Sequence, residues 1–116
     1  MVWLLRDATD DDADGLIALI GAVFDEYPGC VLDVDGEMPE LREIASRFAR
    51  DQGRFWVAED AGAIVGSIGM SPSVDAGGVE LKKLYLARRK RTSGPGSALV
   101  DLVEGEARRQ GARFID

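Results

Sequence analysis

Six of the fourteen basic residues in this 116-residue chain fall within ten positions: Lys82, Lys83, Arg88, Arg89, Lys90 and Arg91. They run directly into Gly94-Pro95-Gly96. The surroundings are acidic. The formal net charge is −7; residues 1–53 hold four basic and 13 acidic residues, whereas residues 54–116 hold ten and eight. A basic island in an acidic chain implies a local anion site rather than general affinity for nucleic acid. The glycine turn strengthens that implication. A helix start leaves backbone N–H groups unpaired and carries a partial positive charge, which suits phosphate. With Gly94 or Ser93 as N-cap and Pro95 as first helical residue, the N–H groups of Gly94, Gly96, Ser97 and Ala98 remain as donors. Glycines at 94 and 96 admit an anion to the backbone with no Cβ in the way, and Arg91 and its neighbours add charge-assisted hydrogen bonds. A multiply charged phosphate ligand is the expected occupant.

Other chemistries are excluded by residue type. The chain has no histidine, so a His general base, a Ser-His or Cys-His pair and a His-ligated zinc site are ruled out. Cys30 is the lone cysteine, which precludes an internal disulfide and makes a reducing, cytoplasmic setting the default. No apolar run reaches the roughly 18 residues of a membrane span, and "MVWLLRDATD" has no basic region typical of a signal peptide. A dinucleotide fingerprint needs glycine where Leu99 stands, and the Gly-Lys-Ser/Thr of a phosphate-binding NTPase loop is missing. "DVDGE", Asp33 to Glu37, lacks the remaining ligands of a calcium loop and reads as an acidic connection. No metal is expected.

The elements that must position the turn follow from periodicity. "VWLLR" reads as a first strand, and Thr9 with Asp12 as a capping box for a helix running to about Glu26. Pro28-Gly29 ends that helix. "VLDVDGEMPE" reads as a loop, and Leu41, Ile44, Ala45 and Phe48 mark a second helix ending near Gly53. "RFWVAED" and "AIVGSIGM" form a hairpin turning at Ala61-Gly62, and Ser71 through Gly78 is a loop. "VELKKLYL" is a further strand and "ARRKRTSG" a loop. Pro95 to about Gln110 is a helix stopped by Gly111, and "ARFID" opens another strand. The order is β-α-α-β-β-β-α-β in one domain over residues 1–116, a mixed α/β fold with a central sheet flanked by helices. Trp3, Phe24, Trp56 and Met70 are expected in the core and Cys30 as a buried or neutral thiol.

Arg91-x-x-Gly94-x-Gly96, between a strand and a helix, resembles the acyl-CoA loop of the GNAT N-acetyltransferases. "VELKKLYLARRKRTSGPGSALVDLVEGEARRQGARFI" is similar to that family's central strand, loop, helix and next strand throughout. The resemblance implies acetyl-CoA (coenzyme A) as cofactor. It implies that the backbone of Leu84, Tyr85 and Leu86 pairs with the pantetheine arm and that the backbone of Arg91, Thr92, Ser93, Gly94, Pro95 and Gly96 cradles the pyrophosphate, with Ser97 at the helix start. It places Glu80 where several members have a general base, and makes Tyr27, Asp33 and Asp35 candidates for meeting an acceptor amine. The implied activity is transfer of acetyl to the amine of a small molecule or an exposed peptide amino group by direct attack. The alternative is a non-catalytic or degenerate acyl-CoA-binding module. Nucleic acid and membrane are not expected partners.

Three departures from the family pattern stand out. Pro95 removes one donor, and Thr92 stands where glycine is frequent. The two further strands and helix with which members usually continue, including a tyrosine acting as general acid, have no counterpart in the sequence. A truncated sequence is favoured over a remnant or over completion by a second copy in a homodimer.

Overall fold

The computed structural model describes residues 3–116. Its strands are β1 (Leu4–Asp7), β2 (Arg54–Asp60), β3 (Ala63–Pro72), β4 (Gly78–Leu86) and β5 (Phe114–Ile115). Its α-helices are α1 (Ala13–Phe24), α2 (Val34–Glu37), α3 (Ile44–Arg50) and α4 (Pro95–Arg109). Short 3-10 segments span Asp10–Asp12, Pro39–Glu43 and Arg88–Lys90. The five strands form one sheet in sequential order, antiparallel except for the parallel β4–β5 pair. The expected mixed α/β order is therefore present. The predicted first strand began at Val2, which lies outside the described residues.

The local signals act as their chemistry dictates. Thr9 and Asp12 close a reciprocal capping box, and the Asp12 carboxylate also accepts two hydrogen bonds from Arg6, each 2.9 Å. Arg6 reaches Glu59 at 2.8 Å as well, so one guanidinium ties the start of the helical layer to β1 and β2. Ala61 and Gly62 both have positive φ, 52° and 82°, the backbone of a tight hairpin turn. Gly111, at φ 75°, ends α4: its N–H donates to the Arg108 carbonyl and the Ala112 N–H to that of Ala107.

Helices cover both faces of the sheet, which is why Phe55, Trp56, Val57 and Ala58 are all buried in succession. Trp56, Ile68, Met70 and Val79 pack with Leu99 and Val103 of α4; Phe55 and Val57 pack with Leu16, Ile20, Ile44 and Phe48 on the other face. Leu99 and Val103 are fully buried, so truncating Leu99 to alanine costs about 2–5 kcal/mol.

Four expectations are corrected. The acidic stretch after Cys30 is not a plain loop: the Asp33 carboxylate caps α2 by accepting the Gly36 N–H at 3.1 Å. The predicted loop from Ser71 is shorter, because Ser71 and Pro72 still pair with Glu80 and Val79. Cys30 is exposed, within the exposed run from Tyr27 to Val31; the chain meets the core again at Leu32. Trp3 is only half buried, lying against the Gly94 turn. No helix among the described residues is long and apolar enough to cross a membrane.

Candidate active site on both faces of β4

β4 is a regular strand with one interruption. Glu80 pairs with Ser71, Leu81 with Met70 and Lys82 with Gly69, but the next aligned pair is Tyr85 with Ser67. Lys83 and Leu84 therefore oppose Ile68 alone, a β-bulge, and Lys83 takes a positive φ of 54°. The bulge would orphan the Lys83 carbonyl inside the sheet; the buried Ser67 hydroxyl donates to it at 2.8 Å. On the opposite edge, β5 pairs with Gly78 and Val79, and the Leu81 N–H reaches the Asp116 carbonyl at 3.3 Å. Among the described residues no strand pairs with that edge beyond this point. The Ala87 N–H donates back to Val65 at 2.8 Å, so alternation turns the backbone groups of Leu84 and Leu86 to the open edge. One of these is already engaged: the Leu86 carbonyl accepts from Arg91 at 3.2 Å.

The chain then makes the Arg88–Lys90 turn and enters α4. Gly94 caps it at φ 108°, a left-handed conformation that a side chain adopts only under strain. Pro95 follows at the first helical position. Gly96 also has a packing reason: a Cβ there would lie 2.8 Å from Leu86 Cδ1, so the missing side chain lets α4 seat on the end of β4. Donors are spent unevenly. The Ser93 N–H goes to Lys90 and the Ala98 N–H to Gly94, which removes Ala98 from the expected set because it already closes the first helical turn. The N–H groups of Thr92, Gly94, Gly96 and Ser97 have no partner among the described residues. Four unpaired amides thus lie at or just before the positive end of a 15-residue helix.

Three of the six cationic side chains of the island are committed elsewhere. Both ends of the Arg91 guanidinium donate to the Glu26 carboxylate at 2.6 Å, and that hydrogen-bonded pair holds Glu26 below the usual carboxylate range. Lys90 is buried, its ammonium 2.7 Å from Asp60, whose carboxyl is lowered by the contact. Lys83 meets Glu40 at 2.7 Å. Burial pushes the Glu40 carboxyl up, but the Lys83 ammonium and nearby Arg47 outweigh it and the net direction is down. The island thus braces α1, the Pro39–Glu43 turn and β2 against the loop, rather than forming one cationic pocket.

A cavity of about 250 Å³ opens on the α3 face of the sheet. Phe48 forms its floor, and it fits because Gly69 has no Cβ, which would lie 2.7 Å from the Phe48 ring. Ser71, Lys82, Lys83, Glu40, Arg47 and Asp51 complete the lining. Val79 and Leu81 pack toward α4, so Glu80 and Lys82 belong to the α3 face, Glu80 directly across from Ser71. Ser71 is 5% exposed, and its hydroxyl has no hydrogen-bond partner. Leaving such a group unmade costs about 1–3 kcal/mol.

The chain matches the family model described as "Acetyltransferase (GNAT) family" over residues 16–116. It belongs to the GNAT acetyltransferase family. A curated relative, probable N-acetyltransferase 14 of Xenopus tropicalis, is 36% identical over 78 residues, covering 66% of this chain and 38% of its own length. The chain thus spans under two fifths of the curated relative it matches. Among solved structures, a GNAT acetyltransferase from Staphylococcus aureus Mu50 superposes with a TM-score of 0.84 at 24% identity, over 96% of this chain and 70% of that one. An acetyltransferase from Clostridium acetobutylicum, solved with acetyl-CoA, gives a TM-score of 0.74 at 20% identity, over 99% and 79%. These likenesses establish the GNAT fold.

Within this GNAT domain the sequence-predicted residues separate into two groups. Thr92, Ser93, Gly94, Pro95, Gly96 and Ser97 form one turn following the edge that carries Leu84 and Leu86. Arg91 flanks it but is engaged with Glu26. Tyr85 points the other way, toward Phe24 at a ring separation of 6.3 Å, and burial raises its phenol. Glu80 lies on the α3 face, six positions before the end of β4. The candidates from the acidic stretch are not part of the cavity: Asp33 caps α2, Asp35 pairs with Arg42 at 2.8 Å and Tyr27 is exposed. Sequence reasoning missed Ser67, Ser71 and Arg47. A signal existed for the serines: Ser67, Gly69 and Ser71 alternate along one face of an otherwise apolar strand.

Proposed function

We propose that this domain binds acetyl-CoA and transfers its acetyl group to a primary amine, on a small molecule or at an exposed peptide amino group. The observation that carries the reading is the set of unsatisfied N–H groups at Thr92, Gly94, Gly96 and Ser97, next to the open edge of β4. A diphosphate supplies the acceptors those amides lack. The open backbone groups of Leu84 and the N–H of Leu86 suit an amide-bearing arm laid alongside as an added strand. Acetyl-CoA supplies an activated thioester, and the chain supplies binding and proton handling.

An alkylammonium, with a pKa near 10.4, is not nucleophilic at neutral pH. Glu80, on the α3 face of the same strand, is the proposed base that takes its proton, directly or through water. The freed amine forms the C–N bond at the thioester carbon, the C–S bond breaks, and the second amine proton compensates the departing thiolate. An open-edge N–H of β4 would polarise the thioester oxygen. A reducing compartment fits the exposed thiol of Cys30.

Calorimetry with acetyl-CoA, paired with thiol release over an amine panel, tests the reading. Saturable binding with amine-dependent thiol release is the expected outcome. Binding without release under any amine leaves an acyl-CoA-binding module, and no binding removes the assignment altogether.

A further inference from the structure

We infer that the cavity between α3 and the β3–β4 pair receives an acceptor amine that also carries an anionic group, a carboxylate or a phosphate, held by Lys82, Arg47 and the Ser71 hydroxyl. The inference rests on the acetyl-transfer reading and adds the class of acceptor. Three features of the cavity point to it. Among the described residues, the Ser71 hydroxyl is the buried side-chain polar atom left without a partner, and it belongs to the cavity lining. A hydroxyl there can donate to a ligand oxygen.

The second feature is charge. Arg47, Lys82 and Lys83 are balanced only by Glu40 and Asp51, in a chain whose formal net charge is −7. Glu40 is spent on Lys83 at 2.7 Å. Asp51 is exposed, at the C-terminal cap of α3. Neither Arg47 nor Lys82 has an ion-pair partner within 4.0 Å among the described residues. This contrasts with the other side of β4, where Lys90 and Arg91 are both paired. Cations left free in a pocket attract an anionic oxygen, and Arg47 can hold one in a forked geometry.

The third feature is polarity along the strand. Glu80 and Lys82 are two positions apart on one face, roughly 7 Å along β4. Glu80 directly faces Ser71 across the ladder. An acceptor lying along the strand has its ammonium at Glu80 and its anionic group at Lys82 and Arg47, a few bonds away. Such a bipolar molecule is favoured over a simple alkylamine because it satisfies groups that the simple amine leaves unpaired.

The test is a comparison of kcat/KM within matched pairs at saturating acetyl-CoA: an amino acid against its amide, and 2-aminoethyl phosphate against ethanolamine. The charged member should be preferred by about tenfold or more, and the pair with the larger ratio identifies carboxylate or phosphate. Lys82→Ala and Ser71→Ala should reduce that ratio about tenfold through KM, and Lys82→Arg should restore part of it. Equal rates within both pairs, or a ratio unchanged in Lys82→Ala, would overturn the inference. Independently of turnover, inorganic phosphate and acetate are titrated into the acetyl-CoA complex and followed by NMR. Saturable shifts at Ser71 and Lys82 that vanish in Lys82→Ala support the site, and no shift with either anion overturns it. Absence of acetyl-CoA binding defeats the parent reading instead, and anion titration of the free protein then decides this one by the same criterion.

Discussion

The two sides of β4 solve opposite problems with opposite materials. Toward α4, the unpaired donors are backbone amides, and two of the nearby cations, Arg91 and Lys90, are paired with Glu26 and Asp60. Toward α3, the available groups are side chains, with two cations and a hydroxyl left unpaired. On the proposed reading, the backbone site would take the diphosphate and would tolerate sequence change as long as the glycine conformations survive. A side-chain site recognises what differs from one acceptor to another. The contrast teaches that charge count alone is a poor guide to an anion site: half of the cations in the densest cationic segment are internal bracing.

The contrast can be broken most decisively at Gly94. Its φ of 108° forbids a comfortable side chain, and a carboxylate there opposes phosphate. Gly94→Asp should weaken acetyl-CoA binding by at least about 100-fold in calorimetry, and Gly94→Ala by about tenfold, since strain remains without the charge. Retained affinity in Gly94→Asp would mean that the turn holds no diphosphate. Next is Glu80→Gln, for which kcat near neutral pH should fall about 100-fold with acetyl-CoA affinity nearly intact. The deficit should narrow as pH rises, because more acceptor amine is already deprotonated. A normal rate would take the base role from Glu80.

Glu26→Gln sharpens the comparison by releasing Arg91. If the amides dominate, acetyl-CoA affinity should improve only about two- to fivefold at low salt and the gain should fade as salt is added. Collapse of binding would show that the turn depends on a side-chain brace. The smallest effect on binding belongs to Glu106, beneath the far end of α4. Hydrogen bonds from Arg109, outweighing the cost of burial and assisted by Gln110 and Arg54, hold its carboxyl at about 2. A folded pKa below the unfolded one contributes stability that is present above the ordinary value of 4.5 and lost as pH falls toward 2. Glu106→Gln should flatten the acid limb of thermal unfolding over that interval and leave acetyl-CoA affinity unchanged.

The turn at the start of α4 was legible in the sequence because its signals are local. Gly94, Pro95 and Gly96 announce a helix start within three residues, and Thr9 with Asp12 or Gly111 do the same for other termini. Those devices act over hydrogen bonds between near neighbours, so spacing suffices. Partners of Arg91, Lys90 and Lys83 were not legible: Glu26, Asp60 and Glu40 lie 65, 30 and 43 positions away, and nothing in periodicity reports which carboxylate a folded loop will meet. The cavity was hidden for the same reason. Its wall combines α3 with β3 and β4, and Ser71 acquires meaning only when its neighbours are seen to leave its hydroxyl alone.

The extra residue at Lys83 has a counting consequence. Before it, even-numbered side chains of β4 look toward α3 and odd-numbered ones toward α4; after it, Tyr85 looks toward α1 and Leu86 toward α4. The same half-step offset decides that the main-chain groups left for a guest strand are those of 84 and 86. Were the strand to pair straight through with every residue kept, its remainder would be transposed, with the phenol beneath α4 and the other set of main-chain groups at the open edge; deleting one of the two bulge residues would instead restore plain alternation and leave Tyr85 opposite Ser67.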